Sequence, residues 1–167
     1  MNRLNLYSIL AFTLLFLASC TRRAEQAADY NDNIVRHQLD IITSFDKFDS
    51  VYVDSIATKD QIEYAFVNMQ STIKRSILAL DSIGPFHNDP LLEVAARELF
   101  KTYDNLVTND YIVLRDIKLM PAESINVAII DTSFSAQLRI HDMSKSAQDK
   151  FLMAQEEFGK KYHLAFE

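Results

Sequence analysis

Glycine, proline and cysteine are scarce in this chain. Two glycines, three prolines and one cysteine occur among 167 residues, and there is no tryptophan. Each shortage excludes something. Tight β-turns draw on Gly, Pro and Asn because a reversal needs a fixed or positive φ. A chain so poor in breakers reads as long helices with few connections, not as a many-turned sheet. With one cysteine there is no intramolecular disulfide, so an exported form depends on packing alone. Haem attachment through Cys-x-x-Cys-His is equally impossible. Two glycines do not make a phosphate-cradling loop, and no serine stands in a Gly-x-Ser-x-Gly elbow. Positive charge is also short: 17 Lys+Arg face 23 Asp+Glu, a net charge of −6. A phosphate-binding surface needs a cationic excess, which argues against nucleic acid as a partner.

The one cysteine sits at an informative place. Residues 1–19 have the three parts of an export signal. Arg3 is the positive start, and no acidic residue precedes Cys20. The apolar run Leu6–Leu17 would span roughly 18 Å as a helix, against the ~30 Å of a hydrocarbon core, so it is too short for a spanning anchor. Leu17-Ala18-Ser19-Cys20 closes the run and resembles the lipobox of bacterial lipoproteins at all four positions. The resemblance implies cleavage between Ser19 and Cys20, a diacylglycerol on the Cys20 sulfur and an acylated, palmitate-type new N-terminus. Two or three acyl chains give durable anchoring, whereas one myristoyl-length chain binds only marginally. Thr21 follows the cysteine. In enterobacterial sorting an Asp there favours the inner membrane, so the outer membrane of the cell envelope is the preferred address. Losing the leader removes one base, Arg3, and leaves the mature chain more acidic.

Three segments follow from this reading: residues 1–19 as signal peptide, 20–26 as lipidated N-terminus and polar tether, and 27–167 as one helical domain. The tether would reach at most ~3.5 Å per residue. A first helix is expected from about Ala24 to Ser55, with a stripe of Ala27, Tyr30, Ile34, Gln38, Ile41, Phe45, Phe48 and Tyr52 at helical spacing. Thr58 and Gln61 match a capping box for a second helix, striped by Ile62, Ala65, Phe66, Met69, Ile73, Ile77 and Leu80. Gly84-Pro85 stops it, with Gly84 as a left-handed C-cap. Asp89-Pro90 opens a third helix, striped by Leu92, Ala95, Leu99, Tyr103 and Leu106. Thr108-Asn109-Asp110 either interrupts this helix, or the helix runs on through Ile112, Leu114 and Ile117. Lys118 to Thr132 reads as a short helix or an ordered crossover loop. The fourth helix is expected from Ser133 or Ser135, with Phe134, Leu138, His141, Ala147, Phe151, Ala154, Phe158 and Tyr162 on its inner face. The fold expected is all-α, an antiparallel four-helix bundle of up-down-up-down order.

Certain residues suggest a family. They are Tyr30-Asn31-Asp32 with Ile34-Val35; Gly84-Pro85-Phe86-His87-Asn88-Asp89 with Leu91-Leu92, Ala95-Ala96, Phe100 and Tyr103; and Gln155, Phe158 and Tyr162. Together they resemble a family of bacterial surface lipoproteins found in Bacteroidota and leptospires. The resemblance covers most of the mature chain. It implies a lipidated helical domain and carries over no catalytic residue.

Helical bundles often hold metals between their helices. No Glu-x-x-His is present, so the di-iron carboxylate pattern is missing. His37 and Asp40 are one turn apart. If the first and last helices run antiparallel with level ends, His141 faces about Asp46. That is roughly 13 Å along the axis from His37, too far for shared ligation. His87 and His163 read as solvated. Asp40, Asp46, Asp49 and Asp54 read as a solvated acidic face, and Met69, Met120, Met143 and Met153 as fillers. The expectation is therefore a non-enzymatic lipoprotein without cofactor, metal or catalytic residues. It would be held to the bilayer through acylated Cys20 and act on an envelope protein or polymer. The alternative is a periplasmic bundle binding a small ligand or metal between helices, marked by an apolar pocket at Tyr30, Tyr52 or Tyr103.

Overall fold

A computed structural model describes residues 3–164, with side chains from Arg22 onward. The lipobox residues Ser19 and Cys20, and the leader side chains before them, lie outside the described side chains. Among the described residues every regular element is helical. The elements are α1 (Arg3–Val53), α2 (Lys59–Ile83), α3 (Leu91–Leu106), a π turn (Val107–Tyr111), α4 (Ile112–Lys118), a 3-10 turn (Ala122–Ser124) and α5 (Val127–Tyr162). The segment α3–π–α4 is one continuous rod, so four rods make the fold. No helix of the described residues is long and apolar enough to cross a membrane.

The stripes of α1, α2 and α3 form the core as the spacing predicts. Ala27, Ile34, Ile41, Phe45 and Phe48 of α1 meet Phe66, Met69, Ile73 and Leu80 of α2 and Leu92, Leu99 and Tyr103 of α3. The expected boundaries hold at the start of α2. The Gln61 amide donates to Thr58 Oγ1 at 3.3 Å and the Thr58 amide to Gln61 Oε1 at 2.8 Å, which is a complete capping box. At the other end Gly84 has φ 64° and ψ −171°. Its φ is positive as expected, but its ψ is not that of a left-handed helical cap. This region is open essentially to glycine alone. The loop then reverses through His87 and Asn88, both at positive φ, and the Asp89 amide closes it on the Phe86 carbonyl at 2.8 Å. Asp89 Oδ1 accepts from the Leu91 amide at 3.2 Å, so Asp89 caps α3 across Pro90.

Three expectations fail. The first helix does not begin near Ala24, because Thr21–Gln26, the segment named as tether, is already part of α1. Arg22, Arg23, Ala24, Glu25 and Gln26 are good helix formers with no breaker among them. The Arg23 guanidinium already lies 5.5 Å from the ring centre of Tyr162. Secondly, α5 starts at Val127, not at Ser133, because the Asn126 side chain accepts from the Ile129 amide at 3.2 Å and caps it there. Thirdly, the inner face of α5 is rotated over its first half. Ala136 is buried, Ile140 and Ala147 pack on the core, and Phe134 and Leu138 point outward at 65% and 51% exposure. Stepping back from Phe151 by helical spacings leads to Ala147, Ile140 and Ala136. The six-residue gap from His141 to Ala147 in the expected stripe is not a helical spacing.

Side-chain ties between rods are specific. The Tyr30 hydroxyl donates to the Gly84 carbonyl at 2.7 Å, and Gln155 Nε2 to the buried Asn31 Oδ1 at 2.8 Å. At the far end of α1, Lys118 Nζ donates to the Asp54 carbonyl at 2.7 Å, and the Tyr52 and Ser133 hydroxyls share a bond of 2.8 Å.

Candidate functional site

The rod α3–π–α4 answers the question left open at Thr108: the helix continues, with one wide turn. Widening the turn frees carbonyls from their usual partners. The Thr108 hydroxyl donates to the carbonyls of Asp104 and Asn105 at 3.0 and 3.1 Å, and Asn109 Nδ2 to that of Asn105 at 2.9 Å. The polar run Thr-Asn therefore supports the π geometry locally. In an unbroken α-helix Tyr111 would stand about 80° around from Tyr103. Here both rings reach Phe45, Tyr103 edge-on at 5.2 Å and Tyr111 stacked at 5.1 Å. Turns of this kind recur at functional sites in helices.

Beside the π turn lies a groove of about 320 Å³ between α1, the rod and α5. Asp49, Tyr52 and Val53 line it from α1; Tyr111 and Leu114 from the rod; and Gln137, Ile140 and His141 from α5. Asp49 is exposed at the mouth, yet protein mass around its carboxyl, followed by the charge of Asp46, pushes it up to about 6. Tyr111 is 3% exposed. Burial, and then the carboxylates of Asp49 and Asp46, push its phenol well above the ordinary range. Its hydroxyl has no hydrogen-bond partner among the described residues, and no such atom there is both buried and unsatisfied. The hydroxyl therefore reaches the groove, with Asp49 and Asp46 as the charges nearest to it.

Two other clefts lie on the surface. A cleft of about 310 Å³ continues from the groove past Tyr52, Ile125, Ile130 and Phe134. From there Val127, Ile130, Phe134 and Leu138 form an exposed apolar stripe along α5, roughly 16 Å long. A larger cleft of about 420 Å³ lies between α3 and α5, but Glu98, Asp142 and Lys150 stand at its solvent edge.

The residues that carried the family resemblance meet at the opposite end of α1. Tyr30, Phe86, Phe158 and Tyr162 form a ring cluster with centre distances of 5.0–5.7 Å across elements. Burial first, and then Glu93 and Asp89, push the Tyr30 phenol up to about 12. Asp89 accepts from the Tyr162 hydroxyl at 2.9 Å and from Lys161 Nζ at 2.8 Å. Burial alone would raise the Asp89 carboxyl, but the hydrogen bonds from Lys161, the Leu91 amide and Tyr162 outweigh it and hold it below its ordinary value. This cluster joins α1, α5 and the α2–α3 loop, and its polar atoms are satisfied internally. Its role is structural.

The sequence candidates are scattered. His141 lines the groove opposite Asp49, three residues further along α1 than the expected Asp46. That leaves it about 18 Å along the helix axis from His37. Among the described residues no three His, Cys, Asp or Glu side chains converge as metal ligands. Of the three tyrosines named as pocket markers, Tyr52 lines the groove, Tyr30 joins the ring cluster and Tyr103 is core, with its hydroxyl accepting from Gln148 Nε2 at 3.0 Å. Asp49, expected on a solvated face, proves to be a groove residue. Tyr111 and Gln137 were not singled out. Tyr111 stood in plain sight after Thr-Asn-Asp, but only the wide turn gives it its position. Compared with known protein families, characterised proteins and solved structures, the chain matches none.

Proposed function

We propose that this chain is a lipid-anchored, non-enzymatic interaction protein of the bacterial cell envelope, with the outer membrane as its address. The lipobox at Leu17–Cys20 supports the anchor. The four rods are taken to run up-down-up-down. The ties Tyr30 to Gly84, Tyr52 to Ser133, Asp54 to Lys118 and Tyr162 to Asp89 each join chain positions that this order brings to one end. The observation that carries the interaction reading is the apolar stripe Val127, Ile130, Phe134 and Leu138, exposed on a long helix. Monomeric surfaces seldom leave a contiguous apolar face of this kind uncovered. The expected partner is an envelope protein or polymer that covers it.

Two measurements test this. Cys20→Ser should abolish labelling by a clickable fatty acid, and persistent labelling would sink the anchor. A photo-crosslinking residue at position 134 in intact cells should give one discrete adduct, lost on Leu138→Asp. An adduct pattern identical to that from a charged surface position such as Lys150 would refute the stripe as a contact face.

A second reading is favoured by the groove. A small ligand between α1, the π turn and α5 would meet the one polar atom that the otherwise buried Tyr111 opens to the groove, a hydroxyl with no protein hydrogen-bond partner among the described residues.

A further inference from the structure

We propose that the groove beside the π turn binds a small organic cation, an ammonium group carried on a short aromatic or aliphatic body. This deepens the second reading above and rests on it. Asp49 supplies the charge at the mouth, with Asp46 one turn before it on α1. The half-buried Tyr52 ring supplies π surface for a cation and its carbon body, and Tyr111, whose ring is stacked on Phe45, supplies its hydroxyl. Val53, Leu114 and Ile140 make the floor apolar. About 320 Å³ is the lower end of the size range for small-molecule sites.

The sign of the ligand's charge follows from what faces the groove. From α1 comes Asp49, and Asp46, one turn before it and outside the lining, adds its charge. From the rod comes the Tyr111 hydroxyl, which can accept from an ammonium donor or donate to Asp49. Asp110 is turned away into an ion pair with Arg139 Nε at 2.7 Å, so both of those charges are spent on each other. Lys118 lies 5.9 Å from the Tyr52 ring centre; its ammonium, bonded to the neutral Asp54 carbonyl, keeps its charge and offsets one of the two carboxylates. His141 lines the groove from α5, across from Asp49 on α1. The uncommitted negative charge therefore exceeds the positive one. Fewer than three potential metal ligands converge, so a bare metal ion is a poorer fit than an ammonium with an organic body.

The pH dependence has a definite direction. Asp49 must be ionised to hold the ammonium, and its carboxyl is raised to about 6 in the free protein. Binding should therefore be strongest above pH 7 and fall towards tenfold per unit below pH 6 as Asp49 protonates.

The probe is phenethylamine, added to the full chain in detergent micelles with tyrosine rings labelled with carbon-13. Binding should shift the Tyr52 and Tyr111 ring signals saturably at pH 8, and about tenfold more phenethylamine should be needed for the same shift at pH 5. Asp49→Asn should weaken it at least tenfold, and Tyr111→Phe, which keeps the ring, by a few-fold. Asp81→Asn, on a distant surface, should leave it unchanged. Phenylacetate, a similar body with the opposite charge, is the control. If phenylacetate moves the same rings and phenethylamine does not, the cation is wrong but the groove still binds a ligand. If neither moves them, the inference and the ligand-binding reading both fail. Equal response of the wild type and Asp49→Asn would overturn the assignment of Asp49.

Discussion

At the scale of single residues, two aspartates with opposite shifts give opposite pH behaviour. Asp89 is held below its ordinary value by its hydrogen bonds. A carboxyl depressed on folding stabilises the fold above its unfolded pKa, and that stabilisation is lost as pH falls through the folded value. Asp89→Asn should thus cost about 1–2 kcal/mol at pH 7. In urea titrations this cost should shrink below pH 4; a pH-independent cost would contradict the ion pairing. Asp49 is the reverse, because its raised carboxyl makes ionisation in the fold unfavourable. Asp49→Asn should raise the melting temperature at pH 8, and the gain should vanish between pH 6 and pH 4. A loss at pH 8 would show that Asp49 has a stabilising partner. Phe134 and Leu138 test the correction to α5. Because they are exposed, changing either to Ser should alter stability by no more than about 0.5 kcal/mol. Phe151→Ala, in the core, should cost roughly 3–5 kcal/mol.

At the scale of elements, the π turn links packing to the groove. It buries Asp110 and Tyr111 together, one against Arg139 and the other against Phe45. Arg139→Ala leaves the buried Asp110 carboxylate without its partner and should cost about 2 kcal/mol, discounted because the arginine is half exposed. A double cycle with Asp110→Asn should show coupling, and additive losses would argue against the pair. Most of the elements were legible from sequence. Regular spacing gave the inner faces of α1, α2 and α3, and Thr58-x-x-Gln61 gave a helix start that the hydrogen bonds reproduce. Two things were not legible. Phe134 and Leu138 are apolar, and composition draws such residues inward; only the break in spacing before Ala147 argued otherwise. The π turn left apolar residues on both sides of Thr108 in near-helical order, so one added residue was invisible. The groove needed both facts, because Asp49, Tyr111 and His141 come from three elements whose phases had to be known together. Tyr52 alone was anticipated there.

At the scale of the whole molecule, the two ends of the fold differ. One end, at Tyr30, Phe86, Phe158 and Tyr162, is sealed by rings whose polar atoms are satisfied internally. The other carries Tyr52, the groove and the start of the apolar stripe. Circular dichroism of the chain should be strongly helical, with a single unfolding transition if the rods share the core seen here. A strand-dominated spectrum would contradict the fold.

The continuity of α1 through Arg22 and Arg23 has a mechanical consequence. A string transmits only tension, whereas a helix also transmits torque. There is no slack between Arg23, which already rests on Tyr162, and the core that begins at Ala27. Under the anchoring proposed at Cys20, the hold on the N-terminal side of Arg22 would therefore set the heading of the whole domain. The groove and the stripe, carried at the far end of α1, would sweep an arc about that grip like the tip of a lever.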